Sequence, residues 1–193
     1  GATGPFMQRL AGRSSNGMLL AGLTSPKFVE YAIDNMRKGA VKAGRDIPQD
    51  FPVGGVILAA CSKDGAKAKE FTRSYTGTYI VNKLRNIKND GILAGSGLPD
   101  EAWDPFRKAI EEGTADSVTH LVTDEMQRKF TVISGTPDEC AEITQELVDA
   151  GLNTPLLEVV GATKEDNLET IRLIGEVVLP QLKPARREVT KSS

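Results

Sequence analysis

Three short runs, Met18 to Ala21, Val53 to Cys61 and Leu156 to Val160, are almost wholly apolar and alternate with longer segments whose apolar residues recur at helical spacing. No other feature restricts the fold as strongly. A continuous apolar run bounded by turn residues reads as a strand buried on both faces. Strands alternating with helices imply a parallel sheet with right-handed crossovers. A doubly wound open sheet and a slice of a (β/α)8 barrel both satisfy that rhythm.

The helical segments carry their own start and stop signals. Pro5 sits at a first helical position, and Phe6, Leu10 and Ala11 follow until the polar stop Arg13-Ser14-Ser15-Asn16-Gly17. Ser25-Pro26 opens a second helix with Phe28, Ala32, Ile33, Met36 and Ala40 on one face until Gly44. Gly54-Gly55 inside the second strand suggests a bulge or a close backbone approach. A long helix is expected from Gly65 to about Ile87, with Phe71, Tyr75 and Tyr79 aligned as core or interface. An irregular stretch, Asn89 to Pro105, contains Trp103, and short helices are expected over Phe106 to Glu112 and Asp124 to Phe130. Thr131 to Ser134 reads as a brief extended piece. Thr136-Pro137-Asp138-Glu139 reads as a capping box, and the last helix is expected from about Glu165 to Leu179, closed by Pro180.

Gly1-Ala2-Thr3-Gly4-Pro5 reads as a tight turn feeding a helix, and such a turn in an α/β protein follows a strand. The chain is therefore expected to be the C-terminal part of a larger α/β enzyme. With 193 residues it can bury a real core. Its formal charge of −2 gives no electrostatic reason to expect nucleic acid or an anionic membrane. No apolar run approaches the ~18 residues of a membrane span. Cys61 and Cys140 match no metal spacing and suit a reducing, cytoplasmic setting with free thiols. Pro184 to Ser193 reads as a frayed basic tail.

Ala2-Thr3-Gly4-Pro5-Phe6-Met7, Leu10-Ala11-Gly12 and Asn16-Gly17-Met18-Leu19-Leu20 resemble a stretch of the luciferase-like monooxygenase superfamily. That stretch joins the family's fifth and sixth barrel strands. Thr123-Asp124-Glu125-Met126, Phe130 and Ser134-Gly135-Thr136-Pro137-Asp138-Glu139-Cys140 resemble the segment before its last barrel strand. The resemblance runs from residue 1 to about residue 183 and is closest to the F420-dependent, methylenetetrahydromethanopterin reductase-like branch. It implies the C-terminal portion of a (β/α)8 TIM barrel, with parallel strands about six to eight and their helices. It also implies a flavin- or F420-dependent oxidoreductase with coenzyme F420 or FMN as cofactor. The family's ring-binding and catalytic positions lie in strands one to four, so no catalytic residue transfers and the isolated chain is expected to be inactive.

The resemblance assigns Ala2, Thr3, Gly4, Pro5 and Phe6 to the phosphate-bearing tail of the cofactor. Glycine admits a phosphate close to the backbone, and a helix N-terminus offers unpaired N–H groups and partial positive charge. The competing reading is a Gly-Pro helix start alone. Gly22 to Ser25 and Gly161-Ala162-Thr163 follow strands at the face where barrels build active sites, yet Ser25 and Thr163 also read as helix caps. Glu158 interrupts an apolar strand and reads as a pocket carboxylate or as a structural ion pair. His120, the sole histidine, has no companion ligands. Cys61 ends a strand at the active-site face and reads as accessible in principle, although packing is the ordinary role for such a cysteine.

A partial parallel barrel exposes strand edges and an apolar inner face, which recruit partners. The partners expected are a small-molecule substrate and either the missing N-terminal half or a second copy in a homo-oligomer, with no nucleic acid and no membrane. A non-catalytic assembly module derived from the barrel is the alternative, and an open-sheet protein binding a phosphorylated metabolite is a further one.

Overall fold

The computed structural model describes residues 1–20, 24–86, 93 and 95–184. Its sheet is wholly parallel. The strands are β1 (Met18–Leu20), β2 (Val53–Cys61), β3 (Ile133–Gly135) and β4 (Thr154–Val159). β2 is the common strand: its start pairs with β1, its end with β3, and its length from Gly54 to Ala59 with β4. The expected α/β architecture is therefore present. The pairing of β2 with both β1 and β4 also explains Gly54-Gly55 without a bulge. A Cβ on Gly54 would lie 3.0 Å from the Thr154 carbonyl oxygen, so the glycine serves close approach of neighbouring strands.

The helices are α1 (Pro5–Ser14), α2 (Pro26–Lys42), α3 (Gly65–Arg85), α4 (Asp104–Glu111), α5 (Asp124–Lys129), α6 (Pro137–Asp149) and α7 (Lys164–Leu173). Local chemistry sets their starts. Ser25 Oγ accepts the Phe28 amide at 3.2 Å and caps α2. Thr136 and Glu139 form a reciprocal capping box on α6, and Thr163 with Asp166 does the same on α7. Trp103 lies in a 3-10 turn, Asp100–Trp103, inside the stretch expected to be irregular, and stacks at 5.8 Å against Phe130 in the core. His120 also sits in a 3-10 turn and is exposed.

The end of the chain departs from expectation. The last helix is regular only to Leu173, widens into a π turn over Ile174–Val178, and tightens to a 3-10 turn over Leu179–Gln181. Pro180 thus lies inside the final turn rather than beyond it. It has no N–H to donate back along the helix, so the regular pattern fails one turn earlier. β4 begins two residues earlier than expected, at Thr154, because Asn153 bonds the β2 backbone and starts the pairing there. The expected tail beyond Pro184, Ala21 of the first strand, and Gly22 and Leu23 lie outside the described residues.

The two faces of the sheet differ. Met18, Leu20, Val53, Ile57, Ala59 and Cys61 share one face and are buried. α7 reaches this face through Thr170, which accepts the Cys61 amide at 3.0 Å and donates to its carbonyl at 3.2 Å. Leu19, Val56, Leu58, Leu156 and Glu158 share the other face. Here Leu19 is 40% and Leu156 44% exposed, an unusual state for a parallel sheet, whose faces are normally both covered.

Candidate cofactor and substrate site

The opening turn is fixed from both sides. The Ala2 amide donates to the Leu19 carbonyl at 2.8 Å, so residues 1–3 run alongside β1. Buried Gln8, on the second turn of α1, donates Nε2 to the Ala2 carbonyl at 3.2 Å. Gln8 Oε1 is buried with no partner among the described residues. Gly4 is the N-cap with extended backbone and no side-chain cap, and Pro5 opens the helix.

This leaves the N-terminus of α1 open. The first-turn amides have no carbonyl ahead of them in the helix. No acidic residue stands in that turn to neutralise it, whereas α6 carries Asp138 and Glu139 and α7 carries Glu165 and Asp166. A Cβ on Gly4 would meet nothing within 4 Å, and Phe6 is 71% exposed. Thr3, Gly4, Pro5 and Phe6 therefore form an accessible turn, whereas Ala2, expected in the same site, is buried with its amide committed to Leu19, and Pro5 has no N–H to offer. Sequence reasoning found this turn but missed Gln8, whose partner is a backbone carbonyl that only the folded turn brings near.

Ser25 follows β1 and Thr163 follows β4, at the C-terminal ends of those strands, whereas Thr131 precedes β3. Ser25 Oγ donates to the Gly95 carbonyl at 2.8 Å besides capping α2. Thr131, the one non-glycine among the described residues with positive φ (48°), donates its hydroxyl to the Thr24 carbonyl. A β-branched residue in that region is strained, and the tie to Thr24 holds it there. Thr163 is the cap of α7 and exposed.

Glu158 is half-buried on the open face, and Tyr79 Oη donates to its Oε2 at 3.2 Å. Burial first, and the neighbouring carboxylate second, push the Tyr79 hydroxyl above the usual tyrosine range. Among the described residues Glu158 forms no ion pair; its partner is the Tyr79 phenol. The Phe71, Tyr75 and Tyr79 stripe divides: Phe71 and Tyr79 pack against the core, while Tyr75 is 47% exposed.

Cys61 is 1% exposed, not accessible. It lies against buried Cys140, and the hydrogen bond from the Cys140 thiol holds Cys61 below the usual thiol range while driving Cys140 well above it. Both are free thiols. Among the described residues no group of three or more His, Cys, Asp or Glu side chains is arranged to hold a metal ion, and no helix is long and apolar enough to cross a membrane.

A wholly parallel sheet whose strands alternate with helices defines an α/β protein, a class that hosts many functions. Comparison with known proteins narrows that class. The luciferase-like monooxygenase family profile matches residues 1–154, and the chain belongs to this family. The chain is 33% identical over 181 residues to the 5,10-methylenetetrahydromethanopterin reductase of Methanolobus tindarius, covering 93% of this chain and 52% of that protein. The coenzyme F420-dependent tetrahydromethanopterin reductase of Methanopyrus kandleri superimposes with a TM-score of 0.73 at 29% identity, over 94% of this chain and 50% of that one. The FMN-bound oxygenating constituent of 3,6-diketocamphane monooxygenase from Pseudomonas putida shares the fold, with a TM-score of 0.63 at 17% identity over 94% of this chain and 47% of that one. The chain thus spans about half the length of the curated relatives it matches.

Proposed function

We propose that this chain forms the C-terminal portion of a (β/α)8 barrel in an F420- or flavin-dependent oxidoreductase, and that it holds the cofactor's phosphate-bearing tail. The observation that carries the reading is the uncapped, acid-free N-terminus of α1, held against β1 by the Ala2–Leu19 hydrogen bond. The residues fit an anionic tail: Gly4 leaves room for close approach, the amides of Phe6 and Met7 supply donors, and buried Gln8 fixes the Ala2 carbonyl away from the anion. When bound, the ring cofactor supplies the hydride chemistry. The residues of this chain bind the tail and wall the substrate. Similarity to F420-dependent proteins favours F420 over FMN. Its partners are then a small-molecule substrate and either the polypeptide that completes the barrel or a second copy.

Titration of F420 fluorescence against the native chain and Gly4→Val tests this. A valine fits the space at Gly4, so the fold survives, yet its methyls block the anion. A tenfold or greater loss of affinity is expected, about 1.4 kcal/mol. Equal binding of F420 by both proteins removes the tail from this turn, and repeating the titration with FMN decides between the cofactors.

A further inference from the structure

A hollow of about 310 Å³ opens between α3, α5, β3 and α6 and shares no residue with the opening turn. Its volume is at the lower end of the range for small-molecule sites, roughly 300–1,000 Å³. Gln127, Val132, Ser134 and Ile143 are its buried lining residues and form the floor. The rim is acidic. Its two cations are already engaged, Lys69 with Glu139 at 2.7 Å and Arg128 with Glu146. Asp124 is held by Arg73 at 2.7 Å. Glu125 also stands on the rim, exposed, and forms no ion pair among the described residues.

Gln127 is 2% exposed, and only one end of its amide is satisfied. Nε2 donates to the Lys69 carbonyl at 3.0 Å and to Thr72 Oγ1 at 2.5 Å. The Thr72 hydroxyl gives its own proton to the same carbonyl, so toward Gln127 it can only accept. Both partners are acceptors, and the amide cannot turn its oxygen toward them. Oε1 is left buried with no partner among the described residues. A buried acceptor without a donor is costly, and here the residue that carries it lines a hollow able to admit one.

We propose that this hollow binds a small organic cation: an ammonium group beside Glu125 at the rim, a short apolar chain against Val132 and Ile143, and an uncharged O–H or N–H donated to Gln127 Oε1 at the inner end. The inner group is uncharged because the buried lining residues include no carboxylate to compensate an ammonium. The outer group is cationic because Glu125 is the rim carboxylate that no protein cation neutralises. A terminal amino alcohol has this pattern. The inference does not depend on the cofactor reading, since the two sites have no residue in common.

Isothermal titration calorimetry of 6-aminohexan-1-ol and heptylamine against the native chain, Glu125→Gln and Gln127→Met is the test. The two ligands are equal in heavy atoms, and heptylamine carries a methyl group where the alcohol has its hydroxyl. Saturable binding of the amino alcohol is expected, about fivefold or more tighter than heptylamine, because only the alcohol brings Oε1 a donor. Glu125→Gln is expected to weaken both ligands by about threefold, the scale of an exposed ion pair, and to keep their ratio. Gln127→Met is expected to bring the two ligands level. No saturable binding by the native chain, heptylamine binding as tightly as the alcohol, or Glu125→Gln binding like the native chain overturns the inference. Gln127 also ties α5 to α3, so if Gln127→Met does not fold, the ratio of the two ligands on the native chain decides alone.

Discussion

Gly12 and Gly39 face each other across α1 and α2, and neither position has room for a methyl group. A Cβ on Gly39 would lie 1.9 Å from the Arg9 carbonyl oxygen, and one on Gly12 would lie 1.8 Å from that of Met36. Both neighbours are helix backbone, so relief requires α1 and α2 to separate. α1 carries the proposed tail site, so this contact links stability to binding. Gly39→Ala is expected to destabilise the protein by about 3 kcal/mol, near the upper end for overpacking. A denaturant midpoint that falls at unchanged slope measures it. F420 affinity should fall with it, since the opening turn moves away from Leu19. Gly175→Ala, where a Cβ meets nothing within 4 Å, is the control and should leave the midpoint near the native value. An unchanged midpoint in Gly39→Ala would show that the two helices pack less closely than described.

Elements whose ends are set by neighbours in sequence were legible beforehand; those set by distant partners were not. Ser25-Pro26, Thr136-Pro137 and Thr163 announced three helix starts because a cap needs only residues three apart. On α3 the aromatic spacing pointed to Phe71, Tyr75 and Tyr79, but the buried side is Ala68, Thr72, Thr76, Gly77, Ile80 and Val81. Threonines can face a core because their hydroxyls bond back along the helix: Thr76 donates to Thr72 at 2.9 Å and Thr72 to Lys69 at 3.0 Å. Small side chains then let α3 approach β2, a gain that no hydrophobicity pattern records. The candidate site divides in the same way. The opening turn was readable; Gln8, Thr131 and the Tyr79 partner of Glu158 were not. The α6 cap adds a pH dependence. Lys69, at 2.7 Å, and the Thr136 amide hold the Glu139 carboxyl below the usual carboxylate range. A carboxyl whose folded pKa is depressed contributes stability above its unfolded value and loses that contribution as pH falls through the folded one. Solvent screening keeps the contribution to about 1 kcal/mol. The melting-temperature gap between native protein and Glu139→Gln should therefore be widest near neutrality. It should close as pH falls below about 4. A gap that is constant with pH would remove the charge from the account.

At the scale of the whole molecule, the distribution of exposed apolar residues is the fact to explain. Leu19 and Leu156 are open on one sheet face and Leu157 is 36% exposed on the other. Leu168 and Ile171 of α7 are 53% and 56% exposed. Among the described residues β4 pairs only with β2, so its other side presents unpaired backbone groups. Scattered exposed leucines are ordinary, but a strand edge with apolar residues on both of its faces is a template for another chain. Covering one leucine stabilises by about 1.5–3 kcal/mol, so a few such residues acting together suffice to drive association. Two coverings satisfy the geometry: a polypeptide carrying the other strands of the proposed barrel, or a second copy laid against the same surface. Light scattering on the chain alone is expected to give a mass that rises with concentration to a dimer or beyond. Leu156→Lys, which places a charge on the open face, should shift that curve toward the monomer without lowering the melting temperature, because the native leucine is largely exposed. Co-expression with the N-terminal half of an F420-dependent relative should abolish self-association by occupying β4. A chain that stays monomeric at every concentration, with Leu156→Lys indistinguishable from it, would mean that this surface needs no cover, and the reading of the fold as part of a larger barrel would fail with it.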